Sequence, residues 1–187
     1  MTIAVLTGCD GSSPAPAVVS PSAATSVRPD PDDVAFLRDM MVHHSQAIVM
    51  AEWARTRARN SSVRALAERI RVGQQPEIDA MRAMLTGWGE SAPDLTHAQH
   101  EDHAGMPGMA SPAELTALDR STGSSFDRMF LRLMIRHHQG AVTMSRTLAD
   151  TGEDLRTGDL AQGIAVTQIK EIATMRKLQG MLWASPS

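Results

Sequence analysis

The chain has 187 residues and a formal net charge of −3, enough length for one domain with a sizeable core, and no basic face for nucleic acid or another polyanion. Aromatic residues make up 3% and Tyr is absent, whereas Met numbers 13 and His 7, so the composition argues against a sheet-rich fold and for helix. The single cysteine, Cys9, rules out an intramolecular disulfide framework.

The first nine residues end in Ala4-Val5-Leu6-Thr7-Gly8-Cys9, a short apolar run closing on small residues before Cys. This is similar to a truncated lipoprotein-type signal, with Cys9 as the lipidation site, although the basic leader is missing and the apolar stretch is short. Residues 10–31 are rich in Pro, Ser and Ala and read as a flexible tether. No other stretch is long and apolar enough to span a bilayer. The expectation is an extracytoplasmic protein, in the periplasm or on the outer face of the cytoplasmic membrane, held to the membrane by a lipid on Cys9.

Residues 32–183 carry helical periodicity. Pro29, Pro31, Asp32 and Asp33 supply the turn, cap and acidic first-turn signals of a helix bearing Phe36, Leu37, Met40, His44, Ala47 and Ala51 at steps of three and four. Asn60, Ser61 and Ser62 end it and cap a second helix, which runs through Ile70, Gln74, Glu77, Met81 and Met84 to Gly87 and Gly89. Ser111 and Glu114 form a capping box for a short helix inside the linking region 89–123. Ser124 and Ser125 are the expected caps of a third long helix, with Thr151 and Gly152 at its end. A fourth helix extends to about Trp183.

The second half repeats the first at a constant spacing of 94 residues. Asp33, Phe36, Met40, His43, His44, Ala47 and Met50 correspond to Asp127, Phe130, Met134, His137, His138, Ala141 and Met144. Gln74, Glu77 and Met81 correspond to Gln168, Glu171 and Met175. Two copies of one helical hairpin, about 33–88 and 127–182, predict an all-α four-helix up-and-down bundle with approximate two-fold symmetry.

The repeated element places Met40, His43 and His44 on one patch of helix surface, and Met134, His137 and His138 on its counterpart. Met50 lies about 10 Å further along the helix and would need the partner helix to share an ion with Met40. Thioether and imidazole together favour a soft ion, Cu(I) or Ag(I), over Zn(II), which more often takes Cys or carboxylate. Glu77 and Glu171 fall inside apolar stripes, where a lone carboxylate is costly, and could hold a histidine through its second nitrogen. Asp33 and Asp127 join them as candidates for that supporting role, beside the plainer one of favouring a helix N-terminus. The linker adds His97, His100, His103, Met106 and Met109, the pattern of a metal-capturing segment or of a solvated loop. Met at helical spacing is otherwise ordinary core filling, the reading for Met81, Met84, Met129, Met175 and Met181.

The runs Phe36 to Met50 and Phe126 to Met144, with Gly105-Met106-Pro107-Gly108-Met109 between them, resemble the bacterial family named domain of unknown function 305, over about residues 32–183. The resemblance implies a ferritin-like helical bundle, an extracytoplasmic location and copper binding connected with copper tolerance. It also implies Met40, His43, His44 and Met50 as ligands, with Met134, His137, His138 and Met144 in the second copy. Gly140 stands where the first copy has Gln46, so the two copies need not be equivalent.

The leading functional reading is a non-catalytic protein that sequesters Cu(I) or hands it to a copper-handling partner. The alternative is a ferritin-like di-metal carboxylate oxidoreductase using iron or manganese, although the paired Glu-x2-His signature of such centres is missing. A third reading is an envelope interaction module in which the His and Met pairs are relics.

Overall fold

The computed structural model describes residues 29–96 and 105–184. All regular structure in them is helical: α1 (Pro31–Arg57), α2 (Ser61–Gly87), α3 (Pro112–Arg120), α4 (Gly123–Thr151) and α5 (Leu155–Ala184). There is no strand among the described residues, and one isolated bridge joins Ala58 to Gly123. The Cys9 site, the tether as far as residue 28, and His97, His100 and His103 lie outside the described residues.

Local chemistry sets most helix ends. Asp30 caps α1 by accepting the amides of Asp32 and Asp33, and Pro31 sits in the first turn, where its missing N–H costs nothing. Asn60 caps α2 through Ser62 and Val63, and the Ser111–Glu114 box opens α3. The start of α4 departs from expectation. Ser124 and Ser125 lie inside the helix instead of capping it, and Thr122 occupies the cap position without a side-chain hydrogen bond. The chain enters α4 at Gly123, where a φ of 63°, open to glycine, and the bridge to Ala58 set the turn.

α1 packs on α2, α4 packs on α5, and the two hairpins meet through α1 and α4, with α3 touching both. This explains the different burial patterns of the helices. α2 buries a single stripe (Val63, Leu66, Ala67, Ile70, Gln74, Ile78, Met81, Leu85), as an outer helix does. α1 buries Met40, Met41, Val42, His43 and His44 in succession, because neighbours surround it on several sides.

Two apolar cores result. One joins Ala47–Ala54 of α1 with Val63–Ile70 of α2, Phe126–Met134 of α4 and Ile172–Leu178 of α5. The other joins Val34–Met41 of α1 with Ile78–Leu85 of α2, Ala141 and Leu148 of α4, and Ala161 and Ile164 of α5. The early part of α1 therefore lies beside the late part of α4, so these two helices run antiparallel. His43, His44, His137 and His138 fall between the two cores.

Candidate metal centre

All four histidines have no solvent exposure. His43 and His137 meet across the α1–α4 contact with ring centroids 3.8 Å apart, and His137 and His138 are 6.2 Å apart. Burial, reinforced by the charge of His44, brings the His43 pKa down to about 3. Burial also holds His137 well below the ordinary imidazole range, with His43 adding to the effect. Burial lowers His138 as well, against the opposing hydrogen bond and charge of Glu171. At neutral pH these three rings are uncharged, and each has a lone pair to give.

The carboxylates expected to support the histidines do so symmetrically. His44 Nε2 lies 2.7 Å from Glu77 Oε2, and His138 Nε2 lies 2.8 Å from Glu171 Oε2. A carboxylate accepts, so each Nε2 is the nitrogen that donates, and each Nδ1 is the nitrogen left without a partner. The Nδ1 atoms of His43, His44, His137 and His138, and Nε2 of His137, have no hydrogen-bond partner. Buried imidazole nitrogens without partners are costly in a merely structural layer and are what a ligand set presents before its ion arrives.

Thioethers flank this layer on both sides. Met40 and Met81 belong to one core and Met134 and Met175 to the other, all fully buried. Met50 is buried in the same core as Met134, whereas its counterpart Met144 is only partly buried and lines a surface groove with Asp32, Phe36 and Thr147. Met106 and Met109 are partly buried in the linker. Met81 and Met175, read from sequence as filler, belong to these two cores.

Asp33 and Asp127 do not join the histidines, which corrects the supporting role considered for them. Their carboxylates accept backbone amides at the two ends of the molecule: Glu153 and Asp154 for Asp33, Arg59 and Asn60 for Asp127. The reason is distance, since ten helical residues separate Asp33 from His43 by about 15 Å.

The linker breaks the symmetry. His43 Nε2 lies 3.0 Å from the carbonyl of Pro107, and His137 has no equivalent contact. Gln46 holds the linker by both ends of its amide, donating to Ala110 O at 3.0 Å and accepting from Ala110 N at 2.7 Å. At the corresponding place on α4, a Cβ on Gly140 would overlap the Pro107 carbonyl, so the linker crosses there only because residue 140 has no side chain. A Cβ on Gly108, at φ 80°, would likewise overlap the Arg136 carbonyl. Gln46 and Gly140 therefore differ because one grips the linker and the other makes room for it. The mismatch between copies was visible in the sequence; its partner, Pro107, was not.

Gln74 and Gln168 are a further symmetric pair without an assigned role. Both are buried, one helical turn before Glu77 and Glu171, and neither amide has a hydrogen-bond partner. Among the described residues, no three or more His, Cys, Asp or Glu side chains are arranged to hold an ion together.

The family described as domain of unknown function (DUF305) matches residues 33–179. A DUF305 fragment from Deinococcus radiodurans is 38% identical, with a TM-score of 0.72, covering 82% of this chain and 98% of that one. A candidate secreted DUF305 protein from Streptomyces coelicolor is 31% identical, with a TM-score of 0.73 and coverages of 83% and 96%. CopM in its Cu(II)-bound form is 32% identical, with a TM-score of 0.68 and coverages of 79% and 95%. Its Cu(I)-bound and Ag-bound forms are also similar. Uncharacterized protein L153 of Acanthamoeba polyphaga mimivirus is 39% identical over 54 residues, 29% of this chain, and the match spans only 36% of the viral protein.

Proposed function

This chain belongs to the domain of unknown function 305 family, and we propose that it is an extracytoplasmic copper-binding protein that takes up Cu(I) through buried histidine and methionine. The observation that carries this reading is the layer of four buried histidines with five unpartnered imidazole nitrogens, set between two thioether-containing cores. His43, His44, His137 and His138 are the imidazole ligands in this proposal. Met40 and Met134 lead the thioether candidates, Met81 and Met175 extend them, and Met50 and Met144 are the family-implied outer pair. Soft sulfur beside neutral imidazole suits a monovalent soft ion. The copper- and silver-bound forms of CopM, a protein of similar fold, support the same class of ion.

We read the four long helices as a ferritin-like bundle, but not in the up-and-down order expected from the repeat. α2 and α4 both run antiparallel to α1, so they point the same way and the long linker between them is a crossover. No described helix is long and apolar enough to cross a membrane. The proposed membrane attachment is a lipid on Cys9, and Cys9→Ala should release the protein from the membrane fraction. His97, His100, His103, Met106 and Met109 are proposed as a capture segment, which a copper-handling partner could also meet.

The deciding experiment is a competition titration against a Cu(I) chelator at neutral pH. Replacing His43, His44, His137 and His138 by Ala should abolish tight binding, with helicity checked by circular dichroism. Replacing His97, His100 and His103 should lower capacity or uptake rate only. Wild-type affinity in a folded four-histidine variant would end the proposal.

A further inference from the structure

A buried histidine offers one lone pair, and its neighbours decide which nitrogen carries it. His44 and His138 have that choice made by Glu77 and Glu171 on the outer helices. His43 has no carboxylate. Its Nε2 faces the carbonyl of Pro107 at 3.0 Å, and a carbonyl only accepts, so Nε2 must be the N–H and Nδ1 the bare nitrogen. His43, His44 and His138 thus share one arrangement, Nε2 donating and a buried unpartnered Nδ1.

We propose that the Pro107 carbonyl is a positioning group for the metal layer, fixing His43 in the Nε2–H tautomer so that Nδ1 is the nitrogen that meets a soft ion. This rests on the metal-binding reading above and adds the linker to the site. A backbone carbonyl can serve because the linker is seated to within contact of α4. Gly140 has no side chain to lift it, Gly108 takes a φ that ordinary residues avoid, and Gln46 fastens Ala110 with two hydrogen bonds. Glu114 and the Met109 carbonyl, both bound by Arg136, anchor the far side of the same segment. His137 makes no hydrogen bond to the linker, so the two halves differ in how the linker meets them as well as in sequence.

The test uses the full chain, metal-free and labelled with 15N in its imidazoles, with long-range proton–nitrogen correlation spectra at neutral pH. His43 should show a protonated Nε2 and a bare Nδ1, like His44 and His138. Gly140→Ala, which drives a methyl into the Pro107 carbonyl, and Gln46→Ala, which unfastens Ala110 without touching α4, should each give His43 a mixture of tautomers. Ag(I) added to wild type should perturb His43 at Nδ1, and both variants should bind it about ten- to a hundredfold more weakly. A wild-type His43 protonated at Nδ1, a tautomer unmoved in both variants, or an Ag(I) response at Nε2 would each overturn the proposal. Should the tautomers behave as stated while no imidazole responds to Ag(I), the metal-binding reading is overturned and Pro107's control of the tautomer stands.

Discussion

Asp33 and Asp127 hold each other's hairpins. Asp33, at the start of α1, accepts the amides of Glu153 and Asp154 in the α4–α5 turn at 3.0 and 2.8 Å. Asp127, in α4, accepts those of Arg59 and Asn60 in the α1–α2 turn at 3.1 and 2.9 Å. Both carboxylates are buried, so removing either one orphans two backbone donors in a place water reaches poorly. Asp33→Ala and Asp127→Ala should each lower stability by about 1–3 kcal/mol in urea unfolding. The clamps lie at opposite ends of the molecule, so the double variant should come close to the sum. Two variants as stable as wild type would show that these contacts do not join the hairpins.

Met40 and Met134 can be separated as ligands from their role as filling. Leu has nearly the volume of Met, so Met40→Leu and Met134→Leu should cost less than about 1.5 kcal/mol of stability. The same changes remove the soft donor and should weaken Ag(I) or Cu(I) binding in a chelator competition, Met40→Leu and Met134→Leu together more than either alone. Unchanged affinity in the double variant would return both residues to the core.

Glu77 and Glu171 orient His44 and His138 through Nε2 at 2.7 and 2.8 Å. Glu77→Ala and Glu171→Ala should each reduce soft-metal affinity about ten- to a hundredfold, the usual size of a lost orienting partner. The same titration with Fe(II) and Mn(II) tests the rival carboxylate chemistry: wild-type binding of either ion, lost in these variants, would favour that reading.

Gln74 and Gln168 bury amides that have no hydrogen-bond partner. Replacing a buried, unpaired polar group by an apolar one of similar volume removes a desolvation cost. Gln74→Leu and Gln168→Leu should therefore leave the metal-free protein as stable as wild type or raise its stability by about 1 kcal/mol. A clear loss in thermal unfolding would mean that the amides meet a bound group.

Glu114 gives the linker a pH dependence. The hydrogen bond from Arg136 holds its pKa at about 2, below the usual 4.5, and Ser111 contributes through the capping box. A carboxylate depressed in the folded state stabilises fully above pH 4.5, and that contribution fades as pH falls from there toward 2. The pair is partly exposed, so the effect at neutral pH should be only about 1 kcal/mol. Glu114→Gln should be less stable than wild type at pH 7, and the gap should close near pH 2. A gap that stays constant across this range would place the stabilisation elsewhere.

The sequence alone determined whatever depends on near neighbours along the chain or on comparing its two halves. The caps at Asn60 and Ser111, the repeat linking His43 to His137, and the service of Glu77 and Glu171 to the histidines were legible because helical spacing maps sequence directly onto helix faces. Ser124 and Ser125 misled because α4 begins earlier, at Gly123, whose positive φ turns the chain into the helix and which bridges to Ala58 of the other hairpin. Asp33 and Asp127 read as first-turn acids or as partners of the histidines, since nothing local says that each binds the turn of the other hairpin. Pro107 had no signal at all: a backbone carbonyl looks the same at every position, and only a crossing chain brings one to a histidine. Gly140 did carry a trace, as a break in an otherwise faithful repeat. What that break was for depended on which segment passes over it, and tertiary packing alone decides that, because close approach of two backbones is set by the space between elements and not by the period within one.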